Sequence, residues 1–305
     1  ECYEQIIADL TDAEQYAPDN DNSDRTKMTK TVAQAMLAKV YAEKEVQDYD
    51  KVIAYADKVM NTTGVELEDS YETLWGYDET AIDCMKRNTK EGILEVHWSG
   101  GGNWETWMYG RQLDNWDYYF TWAKWITPSR DIINDFDKEG DEVRKNQAIV
   151  YYACTWSNYY PASNYPFMYK LRSSYNNIYW VRLADIILMK AEAEAYKGNL
   201  AESAKLVNQI RKRAKLKELT SDKTGSKESM IEAVLHERRL ELAFEGERWF
   251  DLCRNNKVEK YLNGIDNRDS GRIRQVRQFD SNSYLLPIPQ TALDQNTNLE
   301  QNPGY

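Results

Sequence analysis

The sequence is short of the residues from which metal and nucleophile sites are built. Only two histidines occur, His97 and His236. His236 opens "HERRLELAFEGERWFDLCR" (236–254), which starts like a zinc-protease helix, yet Leu240 stands where the second His of HExxH belongs. His97 cannot on its own complete a three-ligand zinc site, and Ala233 occupies the position where a ferritin-like Glu-x-x-His would need Glu. The four cysteines, Cys2, Cys84, Cys154 and Cys253, contain no CxxC pair. That excludes a zinc ribbon or a dithiol redox motif and leaves the redox compartment open. No GxSxG, Walker loop or GxGxxG is present, "KTGSKES" (223–229) lacks phosphate-loop glycine spacing, and "SGGGN" (99–103) reads as a loop. The expectation is a protein with no metal, no cofactor and no catalysis.

Other absences narrow the class. Glycine (14) and proline (7) are sparse and 42% of residues are apolar, which excludes a disordered chain. No apolar run is long enough to span a membrane and no signal peptide is visible. A formal charge of −11 argues against nucleic acid or an anionic membrane surface as the main partner. Cys2-Tyr3 leads straight into helical spacing at Ile6, Ile7, Leu10 and Ala13, so Cys2 is not read as a lipid-anchor cysteine. A helix is expected over 3–16, with an N-terminal portion ahead of this sequence carrying any export signal.

What is present is mostly helical. Ala33, Met36, Leu37, Val40 and Tyr41 mark an amphipathic helix over 29–45; Val52, Ile53, Ala56 and Val59 mark its partner, stopped by Gly64. The pair reads as a tetratricopeptide-like hairpin. A second hairpin lies far downstream: Leu183, Ile186, Ile187, Met189, Ala193 and Tyr196, a turn at "KGN" (197–199), then Ala204, Val207, Ile210 and Ala214. The intervening stretch must be an insertion or a second layer. Within it "GILEVHW" (92–98) alternates like a strand, and "TPSRDIINDFDKEGDEVR" (127–144) reads as a turn, a short helix and an acidic loop. The predicted organisation is a single domain of little β structure. Its scaffold is 1–64 and 180–262, with an irregular ligand-binding region over 65–179 and an irregular tail over 263–305.

Two charged stretches invite functional readings. "PDNDNSD" (18–24) resembles a calcium loop at Asp19, Asp21 and Ser23, but Lys30 and Asp24 replace the Glu and Gly such a loop needs. In the 236–254 stretch, Glu237, Glu241 and Glu245 repeat every four residues on what reads as one buried helix. Like charges so spaced repel, and buried carboxylates demand cationic partners. We expect an ion network drawing on Arg238, Arg239 and Arg248, with Arg182 and Arg211 from the upstream hairpin.

The aromatic content points to function. There are ten Trp and 22 Tyr against six Phe, and Trp and Tyr combine a flat apolar face with a polar tip. "HWSGGGNWETWMYGRQLDNWDYYFTWAKW" (97–125) holds six of the ten Trp, interleaved with amides and charges. Flat rings stack on the C–H faces of sugars while amides and guanidinium groups bond hydroxyls. The candidate ligand-binding residues are Asn103, Trp104, Trp107, Arg111, Asn115, Trp116, Tyr118, Tyr119 and Trp122. Glu105, Asp114 and Asp117 leave a glycoside hydrolase as an alternative. A tetratricopeptide adaptor for proteins, or capture of a non-glycan nutrient, are the others.

Three stretches together, "YWVRLADIILMKAEAEAYKGN" (179–199), "HERRLELAFEGERWFDLCR" and "LLPIPQTALDQNTNLEQNPGY" (285–305), resemble the SusD/RagB family, the surface glycan-binding lipoproteins of Bacteroidetes. "RTKMTKTVAQAMLAKVYAEKE" (25–45) resembles the family's first tetratricopeptide helix, and "ITPSRDIINDFDKEGD" (126–141) its Pro-Thr segment, here with Ser129 after Pro128. The resemblance implies a helical scaffold with an irregular glycan-binding half, held at the outer face of the outer membrane by an N-terminal lipid. It further implies a glycan ligand that is bound and not cleaved, and a partner in a TonB-dependent, SusC-like transporter. The family's ligand-contacting aromatics vary between members, so the candidate rings above rest on the residues alone.

Overall fold

A computed structural model describes residues 1–78, 80–81, 83–98, 127–153, 159–170, 172, 175–271 and 277–305. Among the described residues helices dominate, beside three antiparallel two-stranded sheets. The helical half is a stack. α1 (Cys2–Tyr16) packs on α2 (Lys30–Ala42), α2 pairs with α3 (Tyr49–Met60), and α3 packs on α7 (Leu183–Lys197). α7 pairs in turn with α8 (Leu200–Arg213), and α9 (Lys227–Glu241) lies across both. The two hairpins predicted far apart in the chain are therefore neighbours in space, and one core runs through Val32, Ala56, Ile187, Leu206 and Val234.

Local chemistry sets the ends. Thr29 caps α2 by accepting from the Val32 N–H, and Asp48 caps α3 by accepting from Lys51. α2 stops at Ala42, short of the predicted Glu45, because Glu43 turns extended and the Asp48 N–H closes back on the Tyr41 carbonyl. Gly198 (φ 86°) takes the left-handed position that ends α7.

α7 is buried at every position from Leu183 to Ala195. Its polar residues are matched inside: Lys190 pairs with Asp57 at 2.6 Å, Glu192 with Arg254 at 2.7 Å, and Glu194 accepts from Asn199 at 2.7 Å. Alanines at 184, 191, 193 and 195 let the neighbouring helices approach closely.

The described parts of the stretch between the hairpins hold several short elements. α4 (Tyr71–Trp75) precedes the paired β1 (Tyr77–Asp78) and β2 (Asp83–Cys84). The predicted strand is β3 (Gly92–His97), paired with β6 (Asn177–Arg182), which runs directly into α7. Ser129 caps α5 (Arg130–Glu139). The expected acidic loop after it is a tight turn instead. Gly140 takes φ 68°, and Asp141 caps a further helix, α6 (Glu142–Ala148), through the Arg144 N–H. α6 feeds β4 (Ile149–Tyr152), which pairs with β5 (Tyr165–Met168).

The 236–254 stretch is not one helix. α9 ends at Glu241; Phe244 (φ 66°) and Gly246 (φ 91°) both take left-handed backbone, and α10 (Arg248–Arg254) starts anew. Glu245 therefore leaves the helical stripe. The tail folds back on itself: Gln301 and Ile288 exchange hydrogen bonds of 2.8 and 2.9 Å, and the Tyr305 hydroxyl donates to the Leu285 carbonyl. Among the described residues no helix is long and apolar enough to cross a membrane.

Candidate functional site

The nine candidate ligand residues, Asn103, Trp104, Trp107, Arg111, Asn115, Trp116, Tyr118, Tyr119 and Trp122, lie outside the described residues. Their two flanks are described, and both are held tightly. On the β3 side, buried Glu95 accepts from the N–H groups of Asn88 and Thr89 at 2.9 and 2.8 Å and pairs with His97 at 2.8 Å. The Trp98 N–H donates to the Asn176 carbonyl at 3.1 Å, and Arg87 reaches the Trp98 carbonyl at 2.6 Å.

On the far side, Thr127 shares a 2.7 Å hydrogen bond with the Tyr165 hydroxyl, and the Tyr160 hydroxyl donates to the Pro128 carbonyl at 2.7 Å. The Arg130 guanidinium stacks 4.0 Å from the Tyr160 ring and 4.7 Å from Tyr159. Asp269 accepts from the Arg130 N–H at 3.0 Å and the Tyr159 hydroxyl at 2.5 Å. Both described ends, at Trp98 and at Thr127, are thus anchored to the rest of the fold. One aromatic the sequence reading did not single out is Trp180 on β6, 64% exposed while its neighbours Tyr179 and Val181 face inward. The period-two alternation of "NIYWVR" carried that signal.

The glutamates of the 236–254 stretch lie in a buried ion network, as expected. Arg144 bridges Glu237 (2.7 Å) and Glu241 (3.2 Å), which resolves the repulsion between those two carboxylates. Arg182 reaches Glu91, Glu241 and Glu245, each at 2.7 Å. Arg213 pairs with Glu241 at 2.5 Å and also with Glu91, while Arg211 pairs with Glu237 at 3.0 Å and Lys170 with Glu245 at 2.5 Å. The Tyr71 hydroxyl donates to Glu241 at 2.6 Å. Burial pushes the Glu241 carboxyl upward, but Arg213, Arg182, Arg144 and Lys170 outweigh it and hold it well below the usual carboxylate range.

Arg182 and Arg211 are partners as predicted; Arg238, Arg239 and Arg248 are not. Residues adjacent on a helix point to different sides, so Arg238 turns to Asp185 (2.7 Å) and Asp251 (2.9 Å), and Arg239 to Asp131 (2.7 Å) and Asp135. A second buried network grows from Arg238. Lys39 joins Asp185 (2.7 Å) to Glu247 (2.8 Å), and Arg254 joins Asp251 (2.6 Å) to Glu192 (2.7 Å).

The chemistry of the remaining groups is quiet. His236 pairs with Glu139 at 3.1 Å, and Leu240, at the place of a zinc-protease histidine, is core. Among the described residues no cluster of His, Cys, Asp and Glu could hold a metal ion. The calcium-like loop is tied by the chain's own cations: Asp19 accepts from Lys30 at 3.0 Å and Asp21 from Lys27 at 2.9 Å, while Arg25 donates to Asn20, to Asn22 at 2.8 Å and to the Gly64 carbonyl at 2.6 Å. Gly64 is required there, with φ 78° and a Cβ position only 2.1 Å from Asn22. Burial pushes the Cys84 thiol up to about 12, against Arg87, and the Cys253 thiol up to about 11. Neither is a poised nucleophile.

The SusD family model matches residues 15–305. The chain is 28% identical over 345 residues to SusD-like protein P2 of Formosa agariphila, covering 100% of this chain and 65% of that protein. It is 36% identical over 135 residues to SusD-like protein P38 of the same organism, covering 42% of this chain and 25% of the other. It therefore spans less than two thirds of the length of either relative. Among solved structures, a SusD-like protein from Bacteroides fragilis superposes with a TM-score of 0.75 at 21% identity, over 100% of this chain and 71% of that one. A SusD-like carbohydrate binding protein from Bacteroides vulgatus gives 0.63 at 20% identity, over 83% and 51%. At such identities these two likenesses speak for the fold, and the family match covers nearly every residue from which that fold is built: the chain belongs to the SusD family.

Proposed function

We propose that this protein binds oligosaccharides at the outer face of the outer membrane and passes them, uncleaved, to a TonB-dependent SusC-like transporter. The observation that carries the reading is the concentration of six Trp within 97–125, between flanks fixed by Glu95, Arg87, Tyr160 and Arg130. Family membership supports it, as does the likeness to a SusD-like carbohydrate binding protein. Stacked rings with interleaved amides suit a solvent-facing sugar site. In this reading 1–64 and 180–262 form the scaffold, 65–179 the ligand-binding region and 263–305 the tail, and a lipid-anchored portion ahead of this sequence tethers the protein.

The test is Trp107→Ala and Trp116→Ala, with oligosaccharide affinity and melting temperature measured together. Binding should be lost while the melting temperature holds. Loss of both in step would make those rings core and remove the site from 97–125.

A further inference from the structure

Beside the Thr127 flank lies a cavity of about 340 Å³ between the end of α9 and the start of α10. Its charged lining is three guanidinium groups, Arg238, Arg239 and Arg248, against one carboxylate, Asp251. Two of the arginines are already neutralised. Arg238 is paired with Asp185 and Asp251, and Arg239 with Asp131 and Asp135. Arg248 makes no salt bridge among the described residues. Its one hydrogen bond runs from Nη1 to the Leu235 carbonyl at 3.1 Å, and its plane lies 4.7 Å from the Tyr261 ring. The contrast with Arg172, which also lacks a carboxylate, is informative. Arg172 satisfies itself on the Tyr169 carbonyl and on both oxygens of Gln147 at 2.8 to 3.0 Å. Arg248 leaves Nε and Nη2 undonated at the edge of a cavity.

Apart from the hydroxyl-bearing Thr127 and Ser129, the rest of the wall is mostly apolar and aromatic, with Leu242, Phe244 and Trp249, the last held 6.0 Å from Phe279. A half-buried guanidinium with open donors beside aromatic faces matches a ring that carries an anionic oxygen group. A volume of about 340 Å³ stands at the small end of ligand pockets and suits one or two sugar units.

We infer that this cavity is a second saccharide subsite, selective for an acidic sugar, in which Arg248 takes a carboxylate or sulfate group and Trp249 and Phe244 take the ring. The inference rests on the saccharide-binding reading and adds charge selectivity to it. The neighbouring pairs sharpen that selectivity. Arg238 and Arg239 keep their own carboxylates, so Arg248 is the one guanidinium of this wall without a direct ion pair among the described residues, and it can accept one anionic group per ligand.

Calorimetric titration of the full protein with methyl glucuronide, methyl glucoside 6-sulfate and methyl glucoside tests this. The better of the two acids should bind at least about tenfold tighter than the neutral glycoside, and which one wins identifies the group. Arg248→Gln should erase the preference, and Arg248→Lys should keep part of it. If Arg248→Gln does not fold, phenylglyoxal footprinting of the unaltered protein reads the same point: the acidic glycoside should protect Arg248 and leave Arg238 and Arg239 unchanged. Equal affinity for acid and neutral glycosides, unchanged preference in folded Arg248→Gln, or absence of protection at Arg248 would each overturn the subsite. If neutral oligosaccharides bind through Trp107 and Trp116 with no acid preference, the subsite falls and the general reading stands. If no saccharide of any charge binds, both fall.

Discussion

The two buried ion networks are built from the same residue types, each with one carboxylate more than it has cations, and differ in how that extra carboxylate is compensated. Around Glu241, the carboxylates of Glu91, Asp141, Glu237, Glu241 and Glu245, with Glu139 at the rim on Arg211, face Arg144, Lys170, Arg182, Arg211 and Arg213, six against five among the described residues. Around Arg238, the carboxylates of Asp185, Glu192, Asp251 and Glu247 face Lys39, Arg238 and Arg254, four against three. Each set has one carboxylate in excess, and a buried charge is costly only where its partners fall short. In the first set Glu139 pairs with both Arg211 and His236, and the hydrogen bond from His236 holds its carboxyl down to about 2. The second set leaves one member poorly compensated. That member is Glu247. Burial pushes its carboxyl up and Asp185 adds to the effect, against Lys39 and Arg238. The first network is a fixed joint between α6, α8, α9 and β6, whereas the second carries one replaceable charge.

The sharpest way to break that contrast is to remove one carboxylate from each network. Glu241→Gln leaves Arg144, Arg182 and Arg213 facing a neutral amide and should lower stability by about 3–5 kcal/mol, read as the urea midpoint. The folded fraction should keep its saccharide affinity. Wild-type stability together with lost binding would turn the network into a ligand site. A smaller effect is expected from Ser129→Ala, which removes the cap accepting from Ile132 at the start of α5 and should cost about 1 kcal/mol. Glu247→Gln should change stability by less than about 1 kcal/mol, since Lys39 keeps Asp185. A loss as large as that of Glu241→Gln would erase the distinction between the networks.

The pH dependence separates them by sign. The folded Glu241 carboxyl titrates below its ordinary value of 4.5, so its contribution is complete above pH 4.5 and declines as pH falls toward the depressed value. The gap between wild type and Glu241→Gln should narrow on acidification. The folded Glu247 carboxyl titrates above 4.5, so ionising it weakens the fold as pH rises past that value. Glu247→Gln should gain on the wild type over that same rise. Urea midpoints from pH 4 to 7 for the three proteins check both slopes.

Much of the scaffold was legible because helices α2, α3, α7 and α8 carry their information locally, in apolar spacing and in caps such as Thr29 and Gly198. The need for cations at Glu237 and Glu241 was legible too, since a buried carboxylate must be matched. Which cations was less so. Arg144, Lys170 and Arg213 reach the same point from α6, the end of β5 and α8, a convergence that no local pattern encodes. The break after Glu241 had a local sign in Gly246, hidden by the apolar run of Leu242, Ala243 and Phe244. For the candidate site, composition spoke and geometry did not: a cluster of rings is visible in one dimension, but the pairing of Thr127 with Tyr165 or of Arg130 with Asp269 joins positions far apart in the chain. Arg248 was read as one more partner for the glutamates, and its lack of a carboxylate emerges only when the partners of its helical neighbours Arg238 and Arg239 are known.

Arg25 gives the loop at 18–24 an unusual independence. Many loops of this composition borrow a divalent ion from the medium and lose their shape when it is withdrawn. Here the cations are inherited with the chain: Lys27 pairs with Asp21 and Asp24, Lys30 with Asp19, and Arg25 bonds Asn20, Asn22 and Gly64 while its own backbone is tied to Asn88 and Glu95. Chelation has nothing to remove, and the loop should report the same melting curve in EDTA as in millimolar calcium. A cation that belongs to the chain keeps the loop's fold the same whatever the free-metal level of its surroundings.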